Sequence, residues 1–442
     1  MASIRKIEGK KGVSYKIEVS NGYDVNGKKI RETTTFVPDP SMTKKQQERA
    51  LQKFAMEFED KVKRGNCIEG DKITLAEFTE KWFEDYAEGQ LERTTLWRYR
   101  YVLDNNILPV MGHLKLSKIR PYDVQKFFVS LTKDDARQDG VSGGYSHESI
   151  RKMKTVLSSI LSTAVKWEII ESNPCFKADL PKQDETEEQP KAYSLDQTRR
   201  LLQFAENDYR AKQDKHITRN DKVICITDFA NFINMDVSAL QTLVLIHIAI
   251  FGGLRRGEMV GLDWCNVDFD KNIIRVRQSA ARTGKEEFVK TPKSKCSIRD
   301  VAFPQPVMDL LQELKQEQER YKNAIGDKWI GSGDCVFIQM NGARMNISSP
   351  YDRFQRLVHR YNKTVSEELQ LPILSLHCLR HTNASLLVSS NRVDIVSVSK
   401  KLGHADANVT ARYYLHSYEE GEQETADILG DLLLESRGKV AK

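Results

Sequence analysis

Cysteine is scarce and unorganised in this chain: seven residues of 442, at positions 67, 175, 225, 265, 296, 335 and 378, odd in number and never spaced as a Cys-x-x-Cys pair. That pattern speaks against a disulfide framework and implies a reducing cytosol, so a cytoplasmic location is expected. No run of 18 apolar residues occurs, which excludes an ordinary membrane-spanning helix. The start, Met-Ala-Ser-Ile-Arg-Lys, lacks the apolar core of a secretory signal. The longest apolar stretch, residues 240–254, is broken by Gln241, Thr242 and His247 and runs into Arg255. It predicts a buried helix that anchors an arginine. A metalloprotease helix is also missing: His377 and His381 stand at i and i+4, but Cys378 occupies the place of the required glutamate. No metal and no other cofactor are expected.

Strong net charge is absent as well. The excess is +6 at a sequence pI of about 8.7. Its distribution says more, because residues 1–66 carry 15 Lys or Arg against 9 Asp or Glu, the whole of that +6. A basic small domain on a near-neutral body suggests an accessory contact with a phosphate backbone. At 442 residues the chain is long enough for two or three domains, each with its own core.

What the last third does contain is a set of short polar clusters. They are Gly252-Gly253-Leu254-Arg255-Arg256-Gly257-Glu258, Thr291-Pro292-Lys293-Ser294-Lys295, His377-Cys378-Leu379-Arg380-His381, Leu402-Gly403-His404, and Arg412-Tyr413-Tyr414-Leu415-His416. Displacement at phosphorus builds negative charge on the non-bridging oxygens, and two guanidiniums answer that need without a divalent ion. Arg255 and Arg380 are the candidates. A tyrosine hydroxyl, with a pKa of about 10, becomes a nucleophile only with a base or a positive field beside it. Tyr414 fits that role. A lysine on a turn can protonate the departing sugar oxygen if neighbouring cations lower its pKa, and Lys293 fits, with Lys290 and Lys295 as rivals. His377 and Arg380, three apart, share one face of a helix. His404 and Tyr414 are ten apart and would fall on different sides of one continuous helix, so a break at Asp406 or Asn408 is expected.

Taken together and in this order, the clusters resemble those of the tyrosine recombinases, the integrases of temperate phages and conjugative transposons. The resemblance covers most of the chain. It makes Arg255 rather than Arg256 the arginine of the first box, with Glu258 as its buttress, and it assigns Arg380 to the His-x-x-Arg box and His404 to the Leu-Gly-His box. It implies a site-specific DNA recombinase, independent of metal and ATP. Tyr414 would attack the scissile phosphate to form a 3′-phosphotyrosyl link, while Arg255, Arg380 and His404 hold the phosphate, Lys293 protonates the leaving oxygen and His377 assists proton transfer or hydrogen-bonds the phosphate. It further implies double-stranded DNA with core and arm sites as partner, a homotetramer on synapsed DNA formed from free monomers, and an excision factor or DNA-bending protein as accessory. The setting implied is a bacterial nucleoid. A type IB topoisomerase shares the phosphotyrosine chemistry, but the N-terminal modules argue against it; a decayed, non-catalytic regulator would have lost one of these side chains.

The fold class expected is multidomain and mainly α with small β-sheets. Strand-like alternation at 3–7, 14–19 and 30–36, followed by a helix over 43–64 with Ala50, Leu51, Phe54, Phe58 and Val62 at helical spacing, predicts a three-stranded sheet covered by one helix. Residues 1–66 thus resemble an arm-type DNA-binding domain, with Lys10, Lys16, Lys28, Lys29 and Arg31 as candidate DNA contacts. Helical stretches near 74–87, 93–106, 121–132 and 146–168 resemble a four-helix core-binding domain over 72–176, with 107–116 as the loop between its second and third helices. Thr94, Thr95, Arg98 and Lys152, and with them Arg100 and Lys154, are its candidate phosphate contacts. Residues 177–192 read as a linker. An α+β catalytic domain over 193–442 begins with a Ser194/Gln197 capping box. It contains a polar insertion over 207–238, one small sheet from strands near 273–278, 287–289 and 297–303 with Lys293 in its turn, and a C-terminal tail helix near 425–434.

Overall fold

The computed structural model describes the chain except residues 1, 10–11, 24–28, 64–71, 138–139, 183–191, 218–225, 293–294, 391 and 404–442. It divides into two compact units, residues 1–186 and 187–442.

The first unit opens with strands β1 (Ser3–Gly9), β2 (Gly12–Tyr23) and β3 (Lys29–Phe36) in an antiparallel sheet of order β1-β2-β3. Period-two alternation puts Ile17 and Val19 on the buried face. Ile17 packs with Leu51 and Ala55 of α1 (Lys44–Lys63), and Phe54 and Phe58 close the cluster. The cross-strand register, Arg5 with Lys16 and Ser20 with Arg31, leaves those three cations on the opposite face.

The rest of the unit is helical. Helix α2 (Leu75–Trp82) starts with a capping box, Thr74 accepting from the Glu77 amide and Glu77 accepting from the Thr74 amide, and runs through a π turn, Phe83–Ala87, into α3 (Glu88–Gln90). Helix α4 (Arg93–Val102) likewise passes through a π turn, Leu103–Ile107, into α5 (Leu108–Met111). Residues 107–116, expected as loop, are therefore helical as far as Met111. Pro109 is accommodated because the π turn Leu103–Ile107 just before it widens the hydrogen-bond ring, so the helix passes a residue that has no N–H to donate. Helices α6 (Pro121–Ser130) and α7 (His147–Lys166) complete a bundle whose core includes Phe78, Trp82, Leu103, Phe128, Leu157 and Ile160. The start of the expected linker belongs to this core. Ala178 is buried, its carbonyl takes the Lys154 ammonium, and the Asp179 amide donates to Gln125.

In the second unit the Ser194/Gln197 capping box is present and α8 (Leu195–Ile217) follows. The polar insertion expected over 207–238 is largely an extension of two helices, since α8 runs to Ile217 and α9 (Ile226–Gly252) begins at Ile226. Its first residues hold the fold: Tyr209 is buried and donates to Glu313, and Asp208 pairs with Arg360. After α10 (Arg256–Val260) come two sheets rather than one. Strands β4 (Val267–Asp268), β5 (Ile273–Val276) and β8 (Arg299–Ala302) form the first, in the order β4-β5-β8. Strands β6 (Ser279–Thr283) and β7 (Glu286–Lys290) form a hairpin about Gly284-Lys285. Strand β6 reads Ser-Ala-Ala-Arg-Thr, without the large alternating residues that mark a strand, so its pairing with β7 left no signal. Helices α11 (Gln305–Ile325), α12 (Ser349–Asn362), α13 (His377–Ser389) and α14 (Ile395–Leu402) finish the described chain. Helix α9 lies at the centre of this core, with Leu243, Val244, Ile246 and Ile248 at 1% exposure or less. No helix among the described residues is long and apolar enough to cross a membrane.

Candidate active site

The site forms where the ends of α9 and α14 meet α13. A helix end leaves carbonyls without helical partners, and cations suit it. Helix α9 ends at Gly252, and Gly253 turns the chain with φ +61, where an added Cβ would lie 2.3 Å from Leu402 Cδ2. The exposed carbonyls are taken by α13. Arg380 Nη1 donates to Gly253 O at 2.6 Å, and Asn383 Nδ2 donates to Ile250 O at 2.6 Å and to Phe251 O at 3.1 Å. His377, Arg380 and Asn383 follow one another at intervals of three, along one face of α13. Asn383 is absent from the residues expected on sequence grounds, although that spacing could have found it.

Helix α14 ends on three arginines. Arg299 Nε donates to Lys401 O at 2.7 Å, Arg380 Nη2 to Leu402 O, and Arg255 Nη2 to Gly403 O at 3.0 Å. Gly403 caps the helix in the left-handed region, φ +68 and ψ 46, and a Cβ there would meet Cys296 O at 2.8 Å. The Leu-Gly pair of the Leu-Gly-His box thus has a local reason: only glycine makes this turn with the β8 approach so close behind it.

Arg255 precedes α10, and Glu258, three residues on, accepts from its amide at 2.9 Å and from its Nη1 at 2.8 Å. Gly257 lets this turn sit against β6, since a Cβ would be 2.5 Å from Ala280 O. Arg255 is half-buried and Arg256 exposed. The Glu258 carboxylate, 3% exposed, is also bound by both terminal nitrogens of Arg299, at 3.1 and 3.0 Å. Burial alone would raise its pKa; the hydrogen bonds and charges of Arg299 and Arg255 outweigh that and hold it below the usual carboxylate range.

His377 stands at the exposed start of α13, its ring edge-on to His381 at 4.7 Å. Desolvation lowers its pKa first, and the charges of Arg380 and Arg255 push the same way while Glu258 opposes them. The imidazole is therefore neutral near pH 7. Arg255, His377 and Arg380 are thus brought together; Lys293, His404 and Tyr414 lie outside the described residues, as do Asp406, Asn408 and the tail helix. Lys290 ends β7 and Lys295 opens a short 3-10 turn, one on each side of residues 293–294.

Among the candidate DNA contacts, Arg98 and Lys152 line one cleft of about 530 Å³ between α4 and α7, joined by Arg137, Asn105, Asn106 and Tyr145. Thr94 and Thr95 are half-buried in the first turn of α4 and do not line it. Arg100 is engaged at the bundle surface, paired with the exposed Glu80 and 4.0 Å above the Phe83 ring, and Lys154 is turned to Ala178. In the N-terminal sheet Lys16 and Lys29 are exposed, Arg31 pairs with Glu18 at 3.0 Å, and Lys10 and Lys28 are outside the described residues. Arg5 shares the face of Lys16, a placement that only the strand register reveals.

The unit thus gathers two arginines and a histidine around one helix end. Residues 195–420 match the model of the phage integrase family, and residues 74–131 match that of the phage integrase N-terminal SAM-like domain. The chain belongs to the phage integrase family, and it is a tyrosine-type site-specific recombinase of the kind that integrates and excises mobile elements. It is 26% identical to the ICEBs1 integrase of Bacillus subtilis strain 168 over 436 residues, covering 98% of this chain and 100% of that protein. A XerC-like tyrosine recombinase of Caldanaerobacter subterraneus subsp. tengcongensis is 23% identical over 432 residues, 95% of this chain and 96% of its own. The solved structure of the Tn1549 transposon integrase in complex with transposon right end DNA shares the fold, with a TM-score of 0.59 at 22% identity over 82% of this chain and 100% of that one.

Proposed function

We propose that this integrase joins DNA through a 3′-phosphotyrosyl intermediate made by Tyr414. The bond from the Tyr414 oxygen to phosphorus forms as the bond to the 5′ oxygen breaks. Lys293 gives that oxygen its proton, and neutral His377 assists removal of the phenolic proton. Arg255, Arg380 and His404 hold the phosphate and its developing charge. Religation to a partner strand reverses these steps with the new 5′-hydroxyl, and the phosphodiester energy is kept in the covalent link.

The observation that carries this reading is the convergence of Arg255 and Arg380 on the consecutive carbonyls of Gly403 and Leu402, directly before His404. Two guanidiniums held this way supply preorganised positive charge where a transition state develops negative charge, the effect otherwise expected of a divalent ion. The partner is double-stranded DNA, in keeping with the Tn1549 integrase, whose structure holds transposon right end DNA. Residues 72–176 would bind the core site, with Arg98 and Lys152 on phosphates; residues 1–66 would bind arm sites through Lys10, Lys16, Lys28, Lys29 and Arg31. Residues 177–192 would link these to the catalytic domain, 193–442. Four protomers would act on two synapsed duplexes, with an excision factor or DNA-bending protein setting direction, in the cytoplasm at the nucleoid.

The test is a nicked suicide substrate carrying the junction of the element's end. The full-length protein is expected to form a covalent adduct at the same rate with and without EDTA, and Tyr414→Phe to form none. An adduct that persists in Tyr414→Phe, or one abolished by EDTA, overturns the reading.

A further inference from the structure

We propose that Arg299 is a positioning residue for strand transfer, which keeps Arg255 cationic toward the phosphate by sharing Glu258 and fixes the turn that carries His404. The inference rests on the phosphotyrosine reading above. It concerns a residue whose donors are taken by Glu258 and by the carbonyls of Ser297 and Lys401, with a side chain 7% exposed.

Consider first the charges. Arg255 and Glu258 alone would make a neutral pair, and a guanidinium neutralised by a buried carboxylate has little field left for a phosphate. Arg299 holds the same carboxylate by both terminal nitrogens, so two cations share one anion and the group as a whole is +1. In a low-dielectric setting that surplus charge acts strongly on a nearby dianionic centre. Without Arg299, Glu258 would have Arg255 as its remaining cationic partner and would draw the Arg255 fork inward.

The geometry adds a second role. Arg299 sits at the start of β8, and through its Nη1 it also donates to Ser297 O, four residues after Lys293 in sequence. Its Nε donates to Lys401 O, and its Cδ lies 3.2 Å from the position a Cβ on Gly403 would take. One side chain therefore ties Glu258 of the first arginine box, Ser297 and the end of α14 at Lys401. These contacts span 41 and 102 residues of sequence, which is why no local motif announces them.

The experiment uses the full-length protein and the nicked suicide duplex, prepared once with an ordinary scissile phosphate and once with a neutral methylphosphonate. Arg299→Gln is expected to bind the duplex like the parent in a gel shift, yet to form adduct roughly 10–100-fold more slowly, the scale of losing one charge-stabilising donor. On the methylphosphonate, where less negative charge develops, that deficit should shrink. The double variant Glu258→Gln/Arg299→Gln should regain part of the rate, because the carboxylate that would neutralise Arg255 is gone, and Arg299→Lys should keep more activity than Arg299→Gln. A deficit equal on both substrates, or no deficit at all, overturns the proposal. Failure of the parent protein to form any adduct would instead overturn the phosphotyrosine reading, so the two failures are told apart.

Discussion

Glu258 is the residue on which the site's charge balance turns. A carboxylate this buried survives as an anion only because two guanidiniums meet it, and removing it would leave two cations facing each other without their anion. Glu258→Gln is therefore expected to destabilise the folded protein by about 3 kcal/mol, the scale of breaking a buried pair, read as a lowered urea midpoint. His377 gives a pH signature. Its folded-state pKa lies below the usual histidine value of 6.5, so the neutral imidazole persists as pH falls through 6.5 and is protonated only below it. The acidic limb of the adduct rate should be centred below pH 6.5, and in His377→Gln that limb should disappear; an acidic limb centred above 6.5 contradicts the assignment. At this scale the sequence was legible where chemistry is local. The preference for Arg255 over Arg256 comes from the resemblance to the family's arginine box; in the structure Arg255 is half-buried against Glu258 and Arg256 is exposed. Arg299 could not be given a role in that way, since its partners are remote in sequence.

Helix ends, rather than helix faces, build the site. The terminal carbonyls of α9 and α14 receive side chains from α13, from the residue that opens α10 and from β8, so each cluster of the sequence is a cap for an element that another cluster provides. Gly403→Ala tests this directly. An L side chain at φ +68 costs about 1–2 kcal/mol, and the Cβ would also crowd Cys296 O at 2.8 Å, so the protein should still bind DNA while its adduct rate falls as residues 401–404 shift. Unchanged adduct kinetics would show that this turn does not position the site. Elements with strong periodicity were predictable: α1, α7 and the Ser194/Gln197 cap stand where alternation and spacing put them. Three were not. The π turn let α4 continue into α5 past a proline, the charged stretch 207–238 hid two helix extensions, and alanine-rich β6 carried no strand pattern.

Across the whole molecule, a small sheet with its helix, a helical bundle and a mainly helical region with two small sheets follow one another along the chain, and the +6 excess falls in residues 1–66. If Lys16 contacts a phosphate from the sheet's outer face, Lys16→Ala should reduce the slope of log K against log salt for arm-site DNA by about 1 and leave core-site binding unchanged. An unaltered slope would remove Lys16 from the interface. The mainly helical, multidomain architecture was legible from the order of periodic segments, because each segment type demands its own partner layer. Lys293, His404 and Tyr414, proposed to complete the catalytic set, lie outside the described residues and rest on sequence order and the family resemblance. The most direct test of the account is thus the chemical identity of the DNA link. The adduct from the suicide duplex is digested with nuclease and trypsin, and the peptide 413–437, which holds Tyr413, Tyr414 and Tyr418, is fragmented by mass spectrometry. The account predicts one nucleotide joined through its 3′-phosphate to Tyr414. A nucleotide on Tyr413 or Tyr418, or one joined through its 5′-phosphate, contradicts it.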